Sequence, residues 1–225
     1  ALITGLTAPS GGDYHDMPVV SAARLSNGNV LVTWATDAAS GFGGADENIA
    51  AVVYDVNTQA LTGGESMINT STAGAQSGPL TIALNDGGAL VIWYDNADLD
   101  GLTNIMRGQV LDATGTPVGP ERFIGDYAVE TSDSRDFAPV TGSVLSNGNV
   151  AIVYMTNDAA SADGSQSAVA ATVYNPTTQL FTNDVIVNAT TTGAQSSPTI
   201  VALSNGSLFV TWYGSADGDG AGGMS

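Results

Sequence analysis

Hydrophobic and polar residues alternate in the same order four times along the chain. The stretches LSNGNVLVTW, LNDGGALVIW, LSNGNVAIVY and LSNGSLFVTW begin at residues 25, 84, 145 and 203. Each ends in an aromatic residue, at positions 34, 93, 154 and 212, so the period is 58 to 61 residues. A pattern of ten residues that recurs at a nearly fixed period indicates an array of equivalent structural units.

The pattern within one unit predicts strands throughout. In the first unit a proline opens the apolar run PVVSAARL, and the residues SNG then supply the positive φ angles of a tight hairpin turn. The stretch NVLVTW alternates with a period of two, which places Leu31 and Thr33 on one face and Val32 and Trp34 on the other. The strand IAAVVYDV and a weaker strand, ESMINTS, follow. No stretch keeps the i, i+3, i+4 spacing of a helix.

Four antiparallel strands per unit predict an all-β fold, namely a β-propeller or propeller segment of four-stranded blades. A pair of β-sandwiches is the alternative, and the propeller is favoured because all four units keep an aromatic residue at the end of the second strand. The chain is interpreted as a single repeat domain, 1–225, with units at 13–74, 75–134, 135–193 and 194–225. The last unit is incomplete, so either residues 1–12 complete it or the chain is a segment of a longer array.

Charge excludes several classes of partner. The chain has 22 acidic residues and 4 basic ones, all arginine, for a net charge of −18. Such a surface lacks the cationic footprint that nucleic acids require, so no nucleic-acid partner is expected. No apolar run approaches the ~20 residues that span a bilayer, and membrane insertion is not expected either. Because cysteine is absent, disulfides and thiolate metal sites are impossible.

One acidic loop has the spacing of a calcium site. In a propeller the loops between second and third strands share one face with the connections to the next blade, and we call it the loop face. There the stretch NADLDGLTN has a side chain with an oxygen atom at every second position up to Asp100, and Gly101 allows a sharp turn. Ca²⁺ prefers oxygen ligands in such an arrangement. An EF-hand is excluded, because Arg107 stands where its last glutamate should be. The alternative is a solvated acidic turn. The predicted ligands are Asn96, Asp98, Asp100 and Asn104, and the theme recurs with fewer ligands at Asp217 and Asp219.

No catalytic residue is predicted. The single histidine, His15, has no second imidazole or thiol in the sequence, GxSxG is missing, and the carboxylates lie in glycine-rich contexts that suit exposed turns. Trp34, Trp93 and Trp212 repeat in register, which predicts core packing rather than sugar stacking. Two residues directly after tryptophans, Tyr94 and Tyr213, point to the opposite face and are candidates for exposed ligand contacts, together with Arg135 on the loop face.

The repeat resembles a class of tandem repeats from very large secreted bacterial proteins. The matching residues are LSNGNVLVTW, IAAVVYDVNTQ and INTSTAGAQSGP, which follow the form LxxGGxVVxW, YxxxG and VNTxTxGxQxxP. Those repeats occur beside RTX-type calcium-binding repeats and adhesin domains. The resemblance implies type I secretion, surrounding calcium and a role at the cell surface. The glycine-rich nonapeptides of RTX proteins are absent here.

These observations lead to the expectation of a non-catalytic extracellular module, a structural scaffold or adhesive surface stabilised by calcium. Its expected partners are neighbouring repeats, other surface proteins or glycans. The first alternative is a lectin-like propeller that binds carbohydrate. The second is an accessory domain of a secreted hydrolase.

Overall fold

The computed structural model describes residues 20–36, 47–95, 104–127, 140–156, 167–189, 193–214 and 223–224. Within these ranges the chain forms sixteen strands and no helix, and therefore no helix that could cross a membrane. Contacts divide the chain into two compact units, residues 1–124 and 125–225. The predicted extent of a single domain and the predicted repeat bounds stay predictions.

The first compact unit contains two four-stranded sheets whose strands pair antiparallel in chain order. The strands of the first sheet are β1 (Val20–Arg24), β2 (Val30–Thr36), β3 (Asn48–Asp55) and β4 (Ala60–Met67). Those of the second sheet are β5 (Gln76–Ala83), β6 (Ala89–Asp95), β7 (Asn104–Leu111) and β8 (Pro117–Tyr127). This is the strand order of propeller blades, and it confirms the predicted fold class.

The second compact unit repeats the plan in two further sheets. The third sheet consists of β9 (Thr141–Val144), β10 (Val150–Thr156), β11 (Ala168–Asn175), β12 (Leu180–Phe181) and β13 (Val185–Ile186). The last two short strands both pair with β11, so they act as one interrupted fourth strand. The fourth sheet consists of β14 (Gln195–Ala202), β15 (Leu208–Gly214) and β16 (Gly223–Met224).

The hairpin between the first and second strands has the same construction in every sheet. In the first sheet the Gly28 N–H donates to the Leu25 carbonyl (2.9 Å), and Gly28 has a φ of +90°. The Asn27 side chain accepts the N–H two residues on (2.9 Å). The other three hairpins repeat the glycine at positive φ and the side-chain bond. A type I turn closed by one left-handed glycine is a standard three-residue hairpin, so positive φ falls on the glycine alone.

Proline does not open the strand in the second and fourth sheets, contrary to the prediction. There β5 and β14 begin three residues before Pro79 and Pro198. Both strands contain a register shift at this point, and the residues just before the prolines, Gly78 and Ser197, have φ angles of +61° and +50°. Proline is compatible with a strand at a bulge, because no ladder bond is lost there.

The first three sheets each have two buried faces, which follow the period-two alternation of the second strand. We call the face that carries the aromatic residue of the repeat the rear face, and the opposite face the forward face. The forward face of the first sheet carries Leu31 and Ala35, and it packs in one hydrophobic cluster with Val91 and Trp93 on the rear face of the second sheet. In the second compact unit, Ala151 and Val153 on the forward face of the third sheet pack in the same way against Ile200 and Val210 on the rear face of the fourth.

The aromatic residues of the repeat occupy the rear faces. Trp34 and Trp93 are 2% and 0% exposed, which confirms the predicted core role, and Trp212 is half-buried. Tyr154, at the same position of the third sheet, is also buried.

Candidate functional site

Most of the predicted ligand residues lie outside the described part of the chain. This holds for Asp217, Asp219 and Arg135, and for residues 96–100 of the acidic loop. Asn104 begins β7, but its side chain is outside the described part as well. Among the residues that are described, no group of three or more histidine, aspartate or glutamate side chains could hold a metal. The calcium site therefore stays a prediction.

The two tyrosines predicted to be exposed differ. Tyr213 is 47% exposed, whereas Tyr94 is 5% exposed, so the predicted exposure of Tyr94 is wrong. Alternation does place Tyr94 opposite Trp93. The forward face of the second sheet is nevertheless buried, with Leu90 and Ile92 at 1% and 0% exposure, so pointing away from the tryptophan does not mean pointing to solvent.

The motif INTSTAGAQSGP contributes buried side-chain hydrogen bonds between consecutive sheets. We call the pair formed by its asparagine and glutamine the polar staple. Asn69, which follows β4, accepts the Ile49 N–H on Oδ1 (2.8 Å) and donates from Nδ2 to the Gln76 Oε1 (3.1 Å) at the start of β5. Asn188 and Gln195 make the same bond (3.2 Å) in the second compact unit. Since all four of these side chains are buried, the motif satisfies backbone and amide groups where the chain leaves one sheet for the next.

In the second sheet two positions depart from the repeat. The second residue after the aromatic is threonine in the first and third sheets, glycine in the fourth, and Asp95 in the second. The residue opposite the aromatic on the third strand is Ala50 or Ala170 in the first and third sheets, and Arg107 in the second. A buried carboxylate and an arginine thus appear together where the other units have small side chains.

Asp95, Arg107 and Glu121 form an ionic cluster at the loop-face end of the second sheet. The Asp95 side chain is fully buried; its Oδ1 accepts from Gln76 Nε2 (3.3 Å), and its Oδ2 pairs with Arg107 Nε. Glu121 is 5% exposed, and its Oε1 lies 3.3 Å from the same Nε in an ion pair. Arg107 itself is 23% exposed. Of the five N–H groups of its guanidinium, only Nε–H makes a hydrogen bond with a described residue.

The cluster closes into a ring with the staple. Glu121 Oε2 accepts from the Thr70 N–H (2.6 Å), the Thr70 hydroxyl (2.8 Å) and the Ser71 N–H (3.2 Å) in the connection between the two sheets. The Ser71 carbonyl in turn accepts from Asn69 Nδ2 (2.7 Å), which starts the staple. Charge-assisted bonds of this kind are about twice as strong as neutral ones. The ring therefore fixes the start of the 96–103 loop and the inter-sheet connection relative to each other.

In this arrangement one guanidinium lies between two carboxyl groups. Hydrolysis of a glycosidic bond by a carboxyl pair requires one member to hold a proton, with space for the sugar between them. Here Arg107 fills that space, because its Nε pairs with Asp95 Oδ2 and lies 3.3 Å from Glu121 Oε1. The cluster accordingly holds this end of the second sheet in place, and its arginine side chain is 23% exposed.

Sequence reasoning missed the cluster although a signal was present. Asp95 directly precedes the acidic stretch NADLDGLTN and received no role, and Arg107 served only to exclude an EF-hand. Aligning the four repeats reveals the signal, because a charged residue replaces threonine or alanine at two positions of one unit. Glu121 gives a weaker signal, since an acidic residue also occupies its repeat position in the first and third units, as Glu65 and Asp184.

Comparison with known proteins identifies fold relatives alone. No family model matches the chain, and no curated protein matches it. An endo-arabinase from Bacteroides thetaiotaomicron is 11% identical, with a TM-score of 0.54 over 99% of this chain and 80% of that one. An α-L-arabinanase from Penicillium chrysogenum, solved with arabinobiose, is 17% identical, with a TM-score of 0.59 over 94% and 62%. The NanB sialidase from Streptococcus pneumoniae is 12% identical, with a TM-score of 0.54 over 92% and 30%.

These matches correct the functional expectation. The solved structures that resemble this chain include two arabinan-cleaving enzymes and a sialidase. The prediction of a non-catalytic scaffold or adhesive module, and with it the prediction that the chain is not an enzyme, is therefore wrong. The prediction that named a hydrolase as an alternative accounts for the fold better. The sequence has one histidine and no GxSxG motif, so short catalytic patterns did not indicate a hydrolase.

Proposed function

We propose that the chain is the propeller of a glycoside hydrolase that cleaves a neutral, arabinose-containing polysaccharide at the loop face. The observation that carries the proposal is the likeness to two arabinan-cleaving enzymes over 99% and 94% of this chain. The ionic cluster supports the location, because the second sheet departs from the repeat at the end where the loop face lies. A polysaccharide substrate also favours an extracellular location.

Electrostatics supports a neutral rather than an anionic substrate. The chain carries a net charge of −18, which repels sialylated or uronic-acid polymers over several ångströms. A sialidase clamps its substrate carboxylate with arginines. In this chain, Arg107 is already paired with two carboxylates and Arg122 is engaged in a contact of its own. The arabinan-type likeness is therefore preferred over the sialidase likeness.

In the proposed hydrolase the ionic cluster acts by holding the residues around the loop face in place. Holding Asp95 fixes the point at which the chain leaves β6 toward the loop face, and small displacements of a substrate-binding surface cost about 100-fold in rate. The Nη groups of Arg107, which make no hydrogen bond with a described residue, suit sugar hydroxyls, since these accept hydrogen bonds without carrying charge. Arg107 is thus proposed as a positioning and binding residue of the loop face.

The test is release of reducing ends from debranched arabinan by the 225-residue chain, with polygalacturonate and sialyllactose as anionic comparisons. Hydrolysis of arabinan alone is the expected result. No release from arabinan or any other neutral arabinose polymer by the folded protein would refute the proposed function.

A second variant tests the assigned location. Replacing the cluster by the residues of the other repeats, as Asp95→Thr with Arg107→Ala, is expected to lower kcat by about 100-fold while the circular dichroism spectrum is unchanged. The control is Arg24→Ala, at an exposed position of β1, which should keep full activity. Full activity of the double variant would refute the role of the cluster and leave the proposed function standing.

A further inference from the structure

The forward face of the fourth sheet is exposed, although the same face is buried in every other sheet. In β14 and β15 the cross-strand pairs Val201–Phe209 and Ser196–Tyr213 lie on this face. Val201 is 54%, Phe209 59% and Tyr213 47% exposed. Three large apolar side chains in register on one sheet face form a patch of the kind that marks an interaction surface.

The equivalent residues of the first and second sheets are buried, which shows that this face is normally covered. The corresponding pairs of the second sheet are Ile82–Leu90 and Ser77–Tyr94, and their large side chains are 8%, 1% and 5% exposed. On the first sheet the forward residue Leu31 is fully buried. The strand register is the same in the second and fourth sheets, including the register shift between the two named pairs. The difference in exposure therefore reflects what covers the face and not the pairing of the strands.

We propose that the forward face of the fourth sheet is the docking surface for a further blade of the same repeat type. Wherever the structure describes the partner of a forward face, that partner is the rear face of the next sheet. Leu31 and Ala35 pack with Val91 and Trp93, and Val153 packs with Val210. The partner of Phe209 and its neighbours is accordingly the second strand of another blade. Its inward-facing residues, at every second position, are a small or aliphatic residue, then Val or Ile, then Trp or Tyr.

A second copy of the chain does not supply that partner. On the rear face of the first sheet the β2 residues Val32 and Trp34 are 6% and 2% exposed and therefore covered, whereas Val20 at the β1 edge is 55% exposed. The rear faces of the other sheets carry Trp93 and Tyr154, which are 0% and 1% exposed, while Val210, in the fourth sheet itself, packs on the third. Among the described residues of the first three sheets, the second-strand positions against which a forward face packs are thus already covered.

The test appends a copy of residues 75–134, which contain such a rear face, after Ser225. Because the chain has no cysteine, Phe209→Cys introduces a single thiol whose reaction with a maleimide reports the exposure of the face. Leu180→Cys is the matched control, since Leu180 is also 59% exposed but lies on the third sheet. The thiol at 209 is expected to react at least about tenfold more slowly in the extended chain, with the thiol at 180 unchanged.

Three results would overturn the proposal. The first is equal reactivity of the thiol at position 209 with and without the appended unit. This holds even if the appended unit stays unfolded, because the proposed docking would provide a surface on which that unit folds. The second is protection that persists when the appended copy carries Trp93→Asp, which would show that the rear face is not what binds. The third is concentration-dependent protection of the unextended chain with a dimeric mass in sedimentation, which would assign the face to self-association.

Discussion

Removing Arg107 gives the most direct test of the ionic cluster. Arg107→Ala would leave Asp95, which is fully buried, and Glu121, which is 5% exposed, without their cation. Two like charges would then remain close together in a site that water barely reaches. Breaking a buried ion pair from one side costs about 3–5 kcal/mol, and we expect a loss of that size in the free energy of unfolding.

The repeat itself provides the compensating change. Combining Arg107→Ala with Asp95→Thr restores the pair of residues found in the first sheet, Ala50 and Thr36, and leaves Glu121 with its three donors from the connection. Replacing a buried ion pair by neutral groups of a fitting shape is often neutral, so the double variant should lie within about 1–2 kcal/mol of the wild type.

Urea unfolding followed by tryptophan fluorescence measures both variants, with constant m-values as the check that the unfolded states are comparable. The reasoning fails if Arg107→Ala alone stays within about 1 kcal/mol of the wild type, since a loss that small is typical of exposed ion pairs. It also fails if the double variant is no more stable than the single one.

Three further outcomes are expected. Asn69→Ala should lower the free energy of unfolding by about 2–3 kcal/mol, because it strands a buried N–H and a buried amide oxygen; equal urea midpoints would contradict this. Gly78→Ala should cost about 1–3 kcal/mol, because φ is +61° and the new Cβ would lie 2.7 Å from the Tyr94 ring; an unchanged Tm would contradict it. If the 95–104 loop binds calcium, a concentration 100 times the Kd stabilises the fold by about 2.7 kcal/mol, and Asp98→Asn with Asp100→Asn removes that gain. No rise in Tm at millimolar calcium would refute the site.

The pH dependence of one hairpin follows from its hydrogen bonds. Burial alone would raise the pKa of Asp112, but bonds from the Thr114 hydroxyl and the Thr114 and Thr116 N–H groups outweigh it, so the pKa lies below its ordinary 3.8. The carboxylate then stabilises the fold above the unfolded pKa, and this contribution is lost as the pH falls through the folded one. The stability difference between the wild type and Asp112→Asn should shrink below about pH 4. A difference that grows on acidification would contradict the sign.

The fold could be predicted because the same pattern occurs four times, and each occurrence supports the others. The turn glycines, the alternation in β2 and the burial of Trp34 and Trp93 all follow from local rules that the structure obeys. Tyr94 could not be placed, because alternation gives the side of a strand but not what covers that side. The strand starts before Pro79 were missed because a bulge makes proline compatible with a strand interior.

The site was harder to predict for a related reason. A repeat directs attention to what its units share, and the shared residues of this chain are structural: the aromatic of the second strand, the hairpin glycine, and the asparagine and glutamine of the staple. Asp95 and Arg107 are informative because one unit differs from the rest. Their spatial meeting required the register of β6 and β7, which pairs Trp93 with Arg107 and which a single sequence does not provide.

The ionic cluster also disfavours incorrect strand pairing between different repeat units during folding. If β6 were to pair with β3 instead of β7, Trp93 and Asp95 would meet a strand with Ala50 in the place of Arg107. The carboxylate would then enter the interior with no cation, an error that costs several kcal/mol at one position. Misassembly between similar units is a characteristic failure of repeat proteins. One charged pair, present in a single unit, thus labels that unit during folding and penalises the wrong neighbour.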